Sequence, residues 1–258
     1  MDTENYIIQE AGSSKGARDE IVRRCGDGEN WTGVLRRLVP PEKGRDYLVL
    51  GAVEYEMIAR GELPCPSSPL MVDGDLAVCG SDLRKLPRAV VRGGVDIADC
   101  ERLEEVDIVC TGWLALVRCS SLRSVRGEAF GPAAIKSCPI NQIGADFRAA
   151  GSLFIQMCRM MGSVNCEIGG GLEARGCGVI RTGPAFSAGK HLLVDQCEGF
   201  QGGGGTVGEW NISGFSTKQD RLYLDGAGEA AGIVRDGGIR KSSEKEKRRT
   251  RKGVGRGI

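Results

Sequence analysis

Aromatic residues are scarce in this 258-residue chain, at 5% of the total, and there is a single histidine. A thick core built around stacked rings is therefore not expected. No run approaches the roughly 18 consecutive apolar residues that cross a bilayer as a helix, so no membrane span is predicted. The opening residues, MDTENYIIQEAGSSKG, have no basic region followed by an apolar stretch, so a standard secretory signal is not expected either. C-x-x-C spacing is absent. These absences point to a soluble protein without a membrane partner, and cytoplasmic in the simplest reading.

Glycine, in contrast, is abundant, with 40 residues, about twice the usual share. With 41% hydrophobic residues the chain is long enough for a substantial core. Many glycines and few rings suit a fold of tight turns around a thin, evenly layered interior. Net charge is +1, but residues 235–258 hold ten Lys/Arg against three Asp/Glu, which leaves the first 234 at about −6.

The eleven cysteines are odd in number in a large chain, which argues against a disulfide framework. Six of them recur at Cys100, Cys119, Cys138, Cys158, Cys177 and Cys197, at intervals of 19 or 20, and Ser81 holds the same slot one interval earlier. Five residues before each slot stand Leu76, Val95, Leu114, Ala133, Leu153, Leu172 and Leu192. Three before it stand Val78, Ile97, Leu116, Ile135, Ile155, Ala174 and Val194. Leu103, Leu122, Met161, Ile180 and Phe200 follow three after, and Gly93, Gly112, Gly131, Gly151, Gly170 and Gly189 close each unit.

The unit reads L-x-V-x-x-C-x-x-L-x-x-V. Its L-x-V part has a period of two, so both apolar side chains point to one side of a short strand. The period of three after the cysteine predicts an irregular or 3₁₀ return arm. One unit cannot bury its apolar side alone; stacked units can, each strand pairing in parallel with the next.

L-x-V-x-x-C-x-x-L resembles the leucine-rich-repeat hallmark. The short period, and the joint Leu83-Arg-Lys-Leu86-Pro87 before Gly93-Gly94-Val95, are similar to the leucine-rich repeats of bacterial effector proteins. The resemblance covers residues 70 to 225. It implies a non-catalytic scaffold that acts in a host cell by binding a host protein. About 30 residues follow the repeats, so the ligase activity of some effectors of that family is not implied. A parallel β-helix has turns of similar length and is the structural alternative.

Three regions are expected: a partly helical N-terminal cap over 1–69, the solenoid over 70–225, and a disordered basic tail over 226–258. Helices are predicted over 17–24, 32–38 and 49–60. A cap is reasonable because an open solenoid end exposes both core and sheet edge. The tail has too few apolar residues to offset the entropy of ordering.

The ladder cysteines are expected to be structural. Parallel stacking puts neighbouring slots about 5 Å apart in a row, and four sulfurs in a line make no tetrahedral zinc site. No cofactor or metal is expected. Cys25, Cys65, Cys79, Cys110 and Cys166 share no pattern. His191 should face outward, away from any ladder thiol, so a Cys–His nucleophile is not expected. Gly202 to Gly205 lack the Gly-Lys-Ser/Thr ending of a phosphate loop. The cluster Lys245-Glu-Lys-Arg-Arg-Thr-Arg-Lys252 gives the one support for a nucleic-acid contact.

The residues beside the core-facing pair should point outward and form a partner surface. They are Trp113, Val117, Lys136, Phe154, Gln156, Arg175, His191 and Asp195, with Arg118, Met157, Glu173 and Leu193 among them. Exposed aromatics among mixed charges on one sheet suit a protein partner, and a monomer is expected. The competing reading, a β-helix enzyme acting on polysaccharide, needs an acidic cluster and finds only Glu173 and Asp195.

Overall fold

A computed structural model describes residues 48–65, 70–212, 214–218, 221–226, 230–231 and 239–241. The described residues form a mainly β, parallel-stacked solenoid with one short helix among them. The strands expected from the L-x-V spacing are present: Leu76–Cys79, Val95–Ala98, Leu114–Val117, Ala133–Lys136, Leu153–Gln156, Leu172–Arg175 and His191–Asp195. They pair in parallel, in register, each with the next turn. We call this the cysteine-side sheet.

The return arm differs from expectation. It is strand, not irregular chain, and it forms a second parallel sheet running from Leu48–Gly51 through Leu70–Asp73, Ala89–Arg92, Glu105–Cys110 and Ser124–Ala129 to Thr206–Val207. The cause is a second alternation, Val106, Ile108, Cys110, that points three apolar side chains inward. From Gln142–Ile143 onward each turn has a third short strand, and five of these make a third sheet. The coil is thus two-sided in its first half and three-sided in its second.

The corners account for the glycines and the cysteines. At one corner the backbones of successive turns touch: a Cβ on Gly112 would lie 2.8 Å from Gly93 C, and one on Gly131 would lie 2.7 Å from Gly112 O. Their N–H groups climb the same row, Gly112 to Gly93 O at 2.8 Å and Gly131 to Gly112 O at 2.9 Å. Only glycine fits there. Gly189 leaves this row and stacks on Gly169; Lys190 takes the rung above Gly170. At the opposite corner the residue before each ladder cysteine is left-handed: Asp99, Arg118, Ser137, Met157 and Gln196 have φ of 53–55°, and Gly80 and Gly176 join them. That turn swings the next side chain inward, and all six ladder cysteines are buried and free of disulfides.

At the N-terminal end the helix predicted over 49–60 is shorter. Leu48–Gly51 is a strand, and the helix α1 spans Ala52–Ala59. It buries Tyr55 and Ile58 against the first turns, and Tyr55 Oη donates to Pro87 O at 2.6 Å. The predicted helices 17–24 and 32–38 lie outside the described residues, as does most of the tail. Within the tail, Ala230–Ala231 and Ile239–Lys241 are short strands rather than disordered chain. Stacking ends with antiparallel strands: Arg221–Asp225 pairs with His191–Asp195, and Trp210–Ile212 pairs with Thr206–Val207.

Candidate functional site

The outer face of the cysteine-side sheet carries two rows of side chains. One row runs Ala77, Asp96, Ala115, Ala134, Phe154, Glu173 and Leu193; the other runs Cys79, Ala98, Val117, Lys136, Gln156, Arg175 and Asp195. Alternation along each strand turns these residues away from the core. All eight residues expected to meet a partner lie on this sheet or at its edge, and none is buried. Leu193 differs: it faces outward by register, yet Tyr223 of the antiparallel strand stands opposite it and it is buried.

In the middle of the face small side chains lie between larger ones, an arrangement we call the trough. Ala115 and Ala134 make a low floor, and Phe154 follows them in the same row. Trp113 stands at one edge, 43% exposed, and Met157 at the other, 60% exposed. Trp113 and Phe154 sit two strands apart and two residues out of register, which puts their Cα atoms roughly 12 Å apart. The Asp99 carboxylate receives Arg118 Nε and Nη2 at 2.6 Å each, so this cation is held beside the trough. The same pair keeps the Asp99 carboxyl below the usual carboxylate range.

Polar residues gather toward the C-terminal end. Glu173 Oε1 lies 3.4 Å from His191 Nε2, and Arg175 Nη2 donates to Glu173 Oε2 at 3.1 Å. The His191 and Tyr223 rings are 5.9 Å apart, and Tyr223 Oη donates to Asp225 Oδ2 at 3.4 Å. His191, Tyr223, Lys190, Glu209 and Asp225 line a cleft of about 520 Å³ with Gly189, Gly208 and Gly226. Arg175 stands opposite Asp195 in register. Glu173 therefore meets both His191 and Arg175, and Asp195 is on the neighbouring strand.

The ladder thiols meet backbone oxygen. Each Sγ lies 3.3–3.6 Å from the carbonyl two residues before it, as in Cys138 to Lys136 O at 3.3 Å. Two off-ladder cysteines also have a structural place. Cys110 sits in a buried row of the second sheet with Val91, Ala129 and Ala149, and Cys166 is buried beside Ile168. Burial pushes their thiols up, to about 11 and about 12. Among the described residues no three His, Cys, Asp or Glu side chains come together as a metal site.

Three residues escaped the sequence reading. Phe130 and Met160 are exposed, Phe130 next to the glycine corner and Met160 just past Cys158, and Tyr223 covers the last parallel strand. The first two were hidden because corner positions have no periodicity of their own. No family model, no curated protein and no solved structure matches the chain. Among the described residues no helix is long and apolar enough to cross a membrane.

Proposed function

We propose that this chain is a non-catalytic binding protein that takes a protein partner on the trough between Trp113, Phe154 and Met157. The observation that carries the reading is the pairing of large exposed apolar side chains with a floor of alanines, on a sheet whose strands cannot shift independently. Single exposed apolar residues are ordinary on a protein surface, but several grouped on one face mark an interaction site. Tryptophan at a rigid site is a frequent anchor, and the charges around it, Arg118, Lys136 and Arg175, suit a polar rim. Through its resemblance to effector-type leucine-rich repeats, the reading extends to a bacterial effector that engages a host protein.

Site-specific photo-crosslinking tests it. A photoreactive phenylalanine analogue at Ala134 should capture a discrete partner, and the same analogue at Val109 of the second sheet should not. Equal capture from both positions, or from Val109 alone, would move the site away from the trough.

A further inference from the structure

We infer that Cys177 and Cys197, the last two rungs of the ladder, form a two-coordinate site for a soft monovalent metal ion, copper(I) or silver(I). The geometry comes from the stacking. Leu172–Arg175 and His191–Asp195 pair in parallel and in register, with the two cysteines at the same position after their strands. Neighbouring parallel strands are about 4.8 Å apart. A zinc–thiolate bond is about 2.3 Å, and copper(I) and silver(I) bonds to sulfur fall on either side of that length, so two in line span about 4.6 Å. An ion on the line between the sulfurs therefore needs almost no movement of the backbone. Thiolates select soft ions such as copper(I). Zinc needs four ligands, and the row supplies none beyond its line of sulfurs.

Several features single out this pair. The Cys177 N–H donates to Cys197 Sγ at 3.4 Å, a bond that favours a thiolate. The other ladder sulfurs meet the backbone of the turn before in the same way, so it is position and exposure that set this pair apart. Cys177 and Cys197 are also the least enclosed, at 4% and 8% exposure against 0–1% for the other four. The ladder stops there, because the next strand, Arg221–Asp225, is antiparallel and carries no cysteine. Binding is a simple exchange in which one cation and two thiols give a linear bis-thiolate and two protons pass to solvent, with no electron transfer.

The test uses the reduced full-length chain with Cys25→Ala, Cys65→Ala and Cys79→Ala, so that thiols off the ladder and outside the second-sheet core do not compete. Silver(I) is titrated in, excess methionine is added as a monodentate competitor, and bound silver is counted by native mass spectrometry. One silver per chain is expected to survive. Adding Cys177→Ser or Cys197→Ser should each abolish retention, and adding Cys119→Ser should leave it. Retention in both terminal variants, or loss with Cys119→Ser, overturns the assignment. X-ray absorption on the copper(I)-loaded protein with its ladder intact does not depend on those variants folding. Two collinear sulfur neighbours are expected, and a third ligand or an oxygen or nitrogen neighbour would refute the site.

Discussion

The Trp113 indole lies against the backbone of Gly94 in the turn below: a Cβ built on Gly94 would come within 2.4 Å of Trp113 Cε2. The ring is thus seated on a glycine while 43% of the residue stays open to solvent. Gly94→Ala should push the indole off its seat and shift its emission to longer wavelength, measured with Trp31 and Trp210 changed to Phe. Stability should change by less than about 1 kcal/mol, because the displaced ring is free to swing outward. An unchanged spectrum would mean that the ring does not rest there.

The ladder cysteines are the interior of the fold, so native protein should react with a thiol reagent quickly at Cys65 and Cys79 and slowly at the six ladder positions. Denatured protein should label throughout. Cys138→Ser should cost about 1–3 kcal/mol, as for a buried hydroxyl with imperfect partners. Fast native labelling of most of the ladder would contradict the packing.

Alkaline pH should weaken the fold in a defined window. The Cys110 and Cys166 thiols titrate at 9.0 when unperturbed and are pushed by burial to about 11 and about 12. A group that holds its proton more tightly when folded adds stability that is complete below its unfolded value and fades as pH rises through its folded one. Denaturant midpoints should therefore hold to about pH 9 and fall toward pH 11. Cys138 and Cys197, whose thiols are lowered, act below this window. Cys110→Ala should flatten part of the decline while costing stability at neutral pH. An unbroken plateau to pH 11 would rule the mechanism out.

The rows of strands could be read from the 19–20 residue spacing because every turn repeats L-x-V before its cysteine. The second sheet was harder to see. Val106, Ile108 and Cys110 alternate clearly, but Ser124–Ala129 has Gly127 in the middle and later turns shorten to two or three residues. The strand Leu48–Gly51 was absorbed into a predicted helix because a short apolar run does not distinguish the two by periodicity. On the face, outward pointing followed from alternation alone, so Trp113 and Phe154 were legible. The partners of His191 were not, since Glu173 lies a full turn earlier and Tyr223 arrives on a strand that reverses direction.

The left-handed corner gives a direct check of the turn geometry. Ser137 has φ of 54°, a conformation that costs a non-glycine residue about 1–2 kcal/mol. Ser137→Gly removes that cost and adds unfolded-state entropy of about 0.5–1 kcal/mol. The net should be a gain of about 0.5 kcal/mol, and Ser137→Val should lose more than about 1 kcal/mol. The opposite order in thermal midpoints would mean that the corner is built differently.

The affinity of the captured partner for Trp113→Ala, Phe154→Ala and the double variant, measured by calorimetry beside the unmodified chain, tests the central claim most directly. Both side chains point away from the core, so each variant should keep its thermal midpoint within a few degrees. Each should lose about 2 kcal/mol of binding, some thirtyfold in Kd, as anchors of one interface do. Folded variants that bind as tightly as the unmodified chain would contradict the account and move the partner off the strand face.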